Sequence, residues 1–159
     1  MKINTTFDLR ELIKMGRARG AMIRAAKDGM QKWALDVHND ILINLTGKKL
    51  RVRSGRLRAG QRFPIIISSG MIIRAVFENK VIYAAIHEFG GKTRAHVIEP
   101  KDKKVLRFKS GGKWVFAKRV NHPGSRIKEK RYMRDPIDDR MESLKVILAA
   151  NIAKAADGR

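Results

Sequence analysis

Residues 63–78 read FPIIISSGMIIRAVFE. Two runs of β-branched and aromatic residues, Phe63–Ser68 and Met71–Glu78, stand either side of Ser69-Gly70, which is the composition of two strands joined by a tight turn. Working outward, the pattern on both sides changes to a helical period. Upstream, Leu9, Leu12 and Ile13 open a helical pattern running from Phe7. Met30, Trp33, Ala34, Val37, Ile41 and Leu45 continue it at spacings of three and four. Gly16, Gly20 and Gly29 each cost about 1 kcal/mol against Ala inside a helix, so a break is expected near Gly16–Gly20 and a sound helix from Ala21 to Leu45. Gly47 is placed to end it, with Lys48 and Lys49 beside its negative end.

Downstream, Asp135 is a capping residue, Pro136 suits the first helical position, and Asp138 and Asp139 fall in the electropositive first turn. Ile137, Met141, Leu144, Leu148 and Ile152 then follow one face of a closing helix. Between the helices lie further strand signals. His96–Glu99 is a short run closed by Pro100, and Val105–Lys109 and Lys113–Val120 flank Ser110-Gly111-Gly112, a second hairpin signal. Leu106, Phe108, Trp114 and Phe116 alternate with Arg107, Lys109, Lys113 and Lys118. That alternation predicts one apolar, core-facing side and one cationic side. Trp114 and Phe116 have the chemistry to stack bases, but the alternation favours a core role.

The order is helix, strands, helix, without alternating βα units. It predicts an α+β fold: an antiparallel β-sheet packed against a long N-terminal helix and a C-terminal helix, with extended basic loops. The chain of 159 residues is the length of one domain. It divides into an N-terminal helical region (1–46), a β-rich basic region (47–134) and the C-terminal helix (135–159). Two stretches, 46–62 and 121–131, read as loops.

Charge is the unusual quantity. Lys and Arg number 36 against 15 Asp and Glu, a net +21. Residues 51–134 alone hold 22 basic residues against Glu78, Glu88, Glu99, Asp102 and Glu129. Such an excess attracts polyanions or acidic neighbours. Arg51, Arg53, Arg56, Arg58 and Arg62 surround a flexible Ser54-Gly55. Arg126, Lys128, Lys130 and Arg131 form a second basic run. Arginine suits bidentate recognition of phosphate or carboxylate, so these nine residues are the candidates for contact with DNA or an acidic subunit.

Catalytic chemistry finds little support. The four histidines lack metal-ligand spacing, and His87-Glu88 are neighbours that would face apart on a strand. There is no P-loop, no GxSxG and no dense carboxylate cluster. With no cysteine, a thiolate metal site or a disulfide framework is excluded. No cofactor is expected, and no apolar run reaches the ~18–20 residues that cross a bilayer.

Four segments in order resemble a family of tailed-phage morphogenesis proteins that act at tail completion or the head-to-tail joint. They are Ser54-Gly55-Arg56-Leu57-Arg58; Tyr83-Ala84 with Glu88-Phe89-Gly90-Gly91; Lys104-Val105-Leu106-Arg107-Phe108; and His122-Pro123-Gly124 ahead of Tyr132 and the final helix. They cover about half the chain. The resemblance implies a structural virion protein without catalytic residues, made in the host cytoplasm and assembled as a ring at the neck or tail end. Sixfold tails suggest a hexamer, and twelvefold portals a dodecamer. The implied partners are connector, tail terminator or tail tube proteins, and genomic DNA in the lumen. The alternative is a nucleic-acid-binding protein outside any particle, whose basic loops grip phosphate backbones.

Overall fold

The structure, a computed structural model, describes residues 1–10, 12–13 and 19–157. It is an α+β fold. The body consists of a three-stranded antiparallel sheet in the order β1 (Lys2–Asp8), β3 (Ile72–Glu78), β2 (Ile65–Ser69). One face of it is covered by α1 (Arg19–Ile43), and the C-terminal helix α5 (Met141–Ala156) packs in turn against α1. Gly70, at φ +59, turns β2 into β3. Ile73, Ala75 and Phe77 point inward from β3 and meet Ala26, Met30, Trp33, Ala34, Val37 and Ile41 of α1. Leu144, Leu148 and Ile152 complete the core from α5. Trp33 lies edge-on to Phe77 with ring centroids 6.0 Å apart.

The glycine at position 29 has a packing role. A Cβ there would come within 2.8 Å of the Asn151 amide nitrogen and 3.1 Å of Ile147. That amide donates to the Ala25 carbonyl at 3.1 Å, so α1 and α5 approach closely where helix propensity alone would disfavour glycine.

Several expectations are corrected. The N-terminus begins with a strand, β1, and not with a helix at Phe7. Ile3, Thr5 and Phe7 face inward opposite Phe77, Ala75 and Ile73, and Leu9 and Ile13 enter the core from a turn. Gly16 lies outside the described residues; Gly20 is helical. The helix α1 ends at Ile43 and widens into a π-type turn, Asn44–Lys48, inside which Gly47 leaves helical geometry at φ +133. The closing helix is two: α4 (Arg134–Asp139) and α5, broken at Arg140. The Arg140 carbonyl accepts from Trp33 Nε1 at 2.7 Å. Asp135 is not a cap; it lies inside α4, with its carboxylate paired to Lys49 and Arg131.

The stretch 46–62 is not all loop. Gly55, at φ +70, turns it into α2 (Arg56–Ala59). Leu57 packs against the core, and the buried Asn79 amide donates to the Leu57 carbonyl at 2.9 Å. The stretch 121–131 is likewise not a separate loop. It supplies one side of a long two-stranded ribbon that leaves the body after α3 (Ala84–Phe89).

In that ribbon β4 (Gly91–Lys92) pairs with β9 (Arg126–Ile127), and β5 (His96–Ile98) with β8 (Val120–His122). The register is continuous through both ladders. It then jumps by five residues at the tip hairpin, β6 (Leu106–Ser110) with β7 (Lys113–Ala117), because 99–105 stand opposite only 118–119. We call residues 91–127 the arm. No residue from Phe89 to Arg131 is buried.

Candidate functional site

The base of the arm is clamped by Glu88. Its side chain is fully buried at the end of α3, yet its carboxylate is saturated: it accepts from the Met133 N–H at 2.9 Å, the Arg134 N–H at 3.0 Å and Arg134 Nε at 3.1 Å. A buried charge requires such partners. The backbones follow the same closure, with Lys130 N–H donating to the His87 carbonyl and Arg131 N–H to that of Glu88. Arg134 also lies 4.6 Å over the Phe89 ring. The two ends of the arm are thereby held together beneath one buried carboxylate.

The motif glycines belong to this closure. Gly90, at φ +70, leaves its Cβ position 2.9 Å from the Glu129 backbone nitrogen, so a side chain would separate the two strands. Gly124, at φ +87, sits against the Thr93 carbonyl, where a Cβ would collide. His122 Nδ1 accepts from the Gly124 N–H at 3.0 Å, across Pro123, and its ring stacks on His96 at 5.0 Å. Tyr132 is fully buried beyond the arm. Burial, and after it the charge of Glu88, hold its phenol well above the ordinary tyrosine range.

Beside the clamp is an open cleft of about 460 Å³. It is lined by Leu45, Leu50, the whole run Arg51–Arg58, Tyr83, His87 and Ile127. The segment around Ser54-Gly55, the start of the Tyr83–Gly91 segment and the foot of the arm thus share one surface. Arg51, Arg53, Arg56 and Arg58 are exposed there, and none is in an ion pair among the described residues. Tyr83 and His87 meet edge to face at 5.8 Å. Burial first, then the charge of Lys130, lower the His87 pKa and favour its neutral form. The arrangement offers guanidinium donors and an aromatic wall to an anionic or polar segment.

The other candidates divide. Arg126 and Lys128 line a second, shallower cleft with Phe89, Gly90, Gly91 and Glu129 on the arm's foot. Arg62 lies apart, its N–H bonded to the Glu78 carbonyl. Lys130 is exposed next to His87. Arg131 differs from the other candidates: it sits at φ +45 with its half-exposed guanidinium paired to Asp135 and Asp138 of its own chain. It is not a free cation.

The largest correction is at the arm tip. Leu106 stands opposite Ala117 and Phe108 opposite Val115, while Arg107 stands opposite Phe116 and Lys109 opposite Trp114. Directly opposed residues share a face. Trp114 and Phe116 therefore lie with the cations, not with Leu106 and Phe108, and they are 51% and 63% exposed. They are not core.

Among the described residues no three His, Asp or Glu are grouped to hold a metal, and no helix is long and apolar enough to cross a membrane. No family model matches the chain, and no curated protein or solved structure does.

Proposed function

We propose that this chain is a structural protein of a tailed-phage particle, forming a ring at the neck or tail end that completes the tail and joins it to the head. The observation that carries the reading is the convergence of three of the four resembling segments, the fourth, Lys104–Phe108, lying at the arm tip. Residues 54–58, 83–91 and 122–132, far apart in sequence, serve one construction, a basic cleft beside a clamped arm. A ring of identical subunits needs two different patches on each copy, since its contacts are head to tail. The arm and the cleft are two such patches. The arm adds nothing to its own subunit's core, which is what a segment ordered against a neighbour would do. Arg51, Arg53, Arg56 and Arg58 remain available for acidic groups on adjoining proteins or for DNA in the lumen.

Electron microscopy and native mass measurement of the full chain, alone and mixed with connector and tail tube proteins, test this. The expected result is closed rings of six or twelve copies, lost when Arg53, Arg56 and Arg58 are reversed to glutamate. A chain that stays monomeric with every such component would overturn it. If the same reversal removed DNA retention but left rings intact, the basic cleft would be a nucleic-acid site instead.

A further inference from the structure

We infer that the arm tip, β6–β7, binds nucleic acid with accessible bases, gripping phosphates with its cations and stacking bases on Trp114 and Phe116. From Lys103 to Arg119 the chain carries seven Lys and Arg and no Asp or Glu. On the aromatic face, the Arg107 guanidinium lies 4.0 Å from the Trp114 ring centroid and the Lys109 ammonium 5.0 Å from it. These contacts set both cations against the indole, so that a phosphate they bind lies next to the ring. Phe116 is next on the same strand and the same face. Two residues along a strand span about 6.8 Å, close to the reach of one extended nucleotide, so successive bases of a single strand would each find a ring.

Two exposed rings separate this ligand from its competitors. An acidic protein surface would engage the cations and leave both rings in water. Intact duplex hides its base faces, so it too would use charge alone. An anionic bilayer offers a place for aromatic rings, but the face alternates Arg107 and Lys109 with the rings and gathers no apolar patch to insert. Sequence-tolerant binding through a basic surface with stacked aromatics is the mode of single-strand binders. The inference concerns the lone chain and does not depend on ring formation.

The test is the affinity of the full chain for labelled oligothymidylate by fluorescence anisotropy. A blunt duplex of equal length and phosphatidylglycerol-containing vesicles serve as rival ligands. Trp114→Ala with Phe116→Ala is expected to weaken oligothymidylate binding by about tenfold or more, the scale of removing one or two base stacks. Duplex binding should be nearly unchanged, and Trp114→Phe should restore most of the loss. Arg107→Glu with Lys109→Glu should weaken both nucleic acids and flatten their salt dependence. Both rings are exposed, so thermal unfolding of the double alanine variant should match the parent and separate binding from folding. Equal oligothymidylate affinity in parent and double alanine variant would overturn the inference, as would vesicle binding with the oligonucleotide ignored. Ring assembly, read by mass on the same variants, reports separately on the virion reading.

Discussion

The two tryptophans of this chain live by different rules. Trp33 is fully enclosed, edge-on to Phe77, with its N–H spent on the Arg140 carbonyl. Trp114 is half in water, with two cations beside its ring. The regions around them differ in the same way. In the body, apolar faces of α1, α5 and the sheet close on one another. Several charges there are paired, as Arg140 is with Asp40 and Arg131 with Asp135, while Arg51, Arg53, Arg56 and Arg58 stay exposed at the cleft. In the arm, eleven Lys and Arg stand against Glu99 and Asp102, with nothing buried. The body's core residues are explained by contacts within the chain. The arm's residues require a ligand or a neighbour for their explanation.

That contrast breaks first at the tryptophans. Trp33→Ala is expected to cost about 3–5 kcal/mol, the usual range for an emptied aromatic core site. Trp114→Ala should stay within about 0.5 kcal/mol of the parent, as exposed substitutions do. Denaturant melts of both variants measure the difference directly, and equal losses would abolish the distinction between the regions.

Glu88 sharpens it, because it belongs to the body but holds the arm. Glu88→Ala leaves the Met133 and Arg134 donors without their acceptor, and breaking such a buried pair costs about 3–5 kcal/mol. Thermal unfolding should register that loss. Hydrogen exchange should show Lys130 and Arg131 amides opening together with it.

The body was largely legible in the sequence and the arm largely was not. Ile137, Leu144, Leu148 and Ile152 show their common face in the spacing alone, and all four are buried. The hairpin β2–β3 was marked by Ser69-Gly70. Strand β1 was obscured because Ile3, Thr5 and Phe7 give only three alternations, and their partners lie some seventy residues away. The break at Arg140 carries no proline or glycine; it is taken up by the Trp33 N–H, a long-range contact no local pattern announces. At the arm tip the error was one of parity. With Gly111-Gly112 as a two-residue turn, Phe108 faces Val115, so counting alternate residues straight through the turn exchanges the faces. The basic residues of the site were visible as composition. Their division into exposed Arg51–Arg58 and committed Arg131 depended on Asp135 and Asp138 lying within reach.

Gly124→Ala probes the arm from within. A Cβ there collides with the Thr93 carbonyl, so exchange at Thr93 and Ser125 should accelerate sharply. Global stability should change by less than about 0.5 kcal/mol, since the site adds nothing to the core. A loss as large as that of Trp33→Ala would mean that the arm supports the body.

A smaller effect concerns acid. Burial acts to raise the Asp135 pKa, but hydrogen bonds from Lys49 and Arg131 outweigh it and leave the carboxyl below its ordinary value. The unfolded chain therefore takes up this proton first. The pair's stabilisation is complete above the unfolded carboxyl pKa, roughly pH 4, and is lost as pH falls through the lower folded value. With the partners partly exposed, Asp135→Asn should cost no more than about 1 kcal/mol at neutral pH. It should also flatten the acid limb of a stability-versus-pH curve.

The most direct measurement is thermal unfolding after residues 99–119 are replaced by a two-residue Asn-Gly turn joining Ile98 to Val120, a register the β5–β8 ladder already supports. A body that folds on its own account keeps a cooperative transition within a few degrees of the intact chain, about the shift of 1 kcal/mol in a domain of this size. Loss of the cooperative transition would contradict it, because the tip would then be part of what holds the fold together.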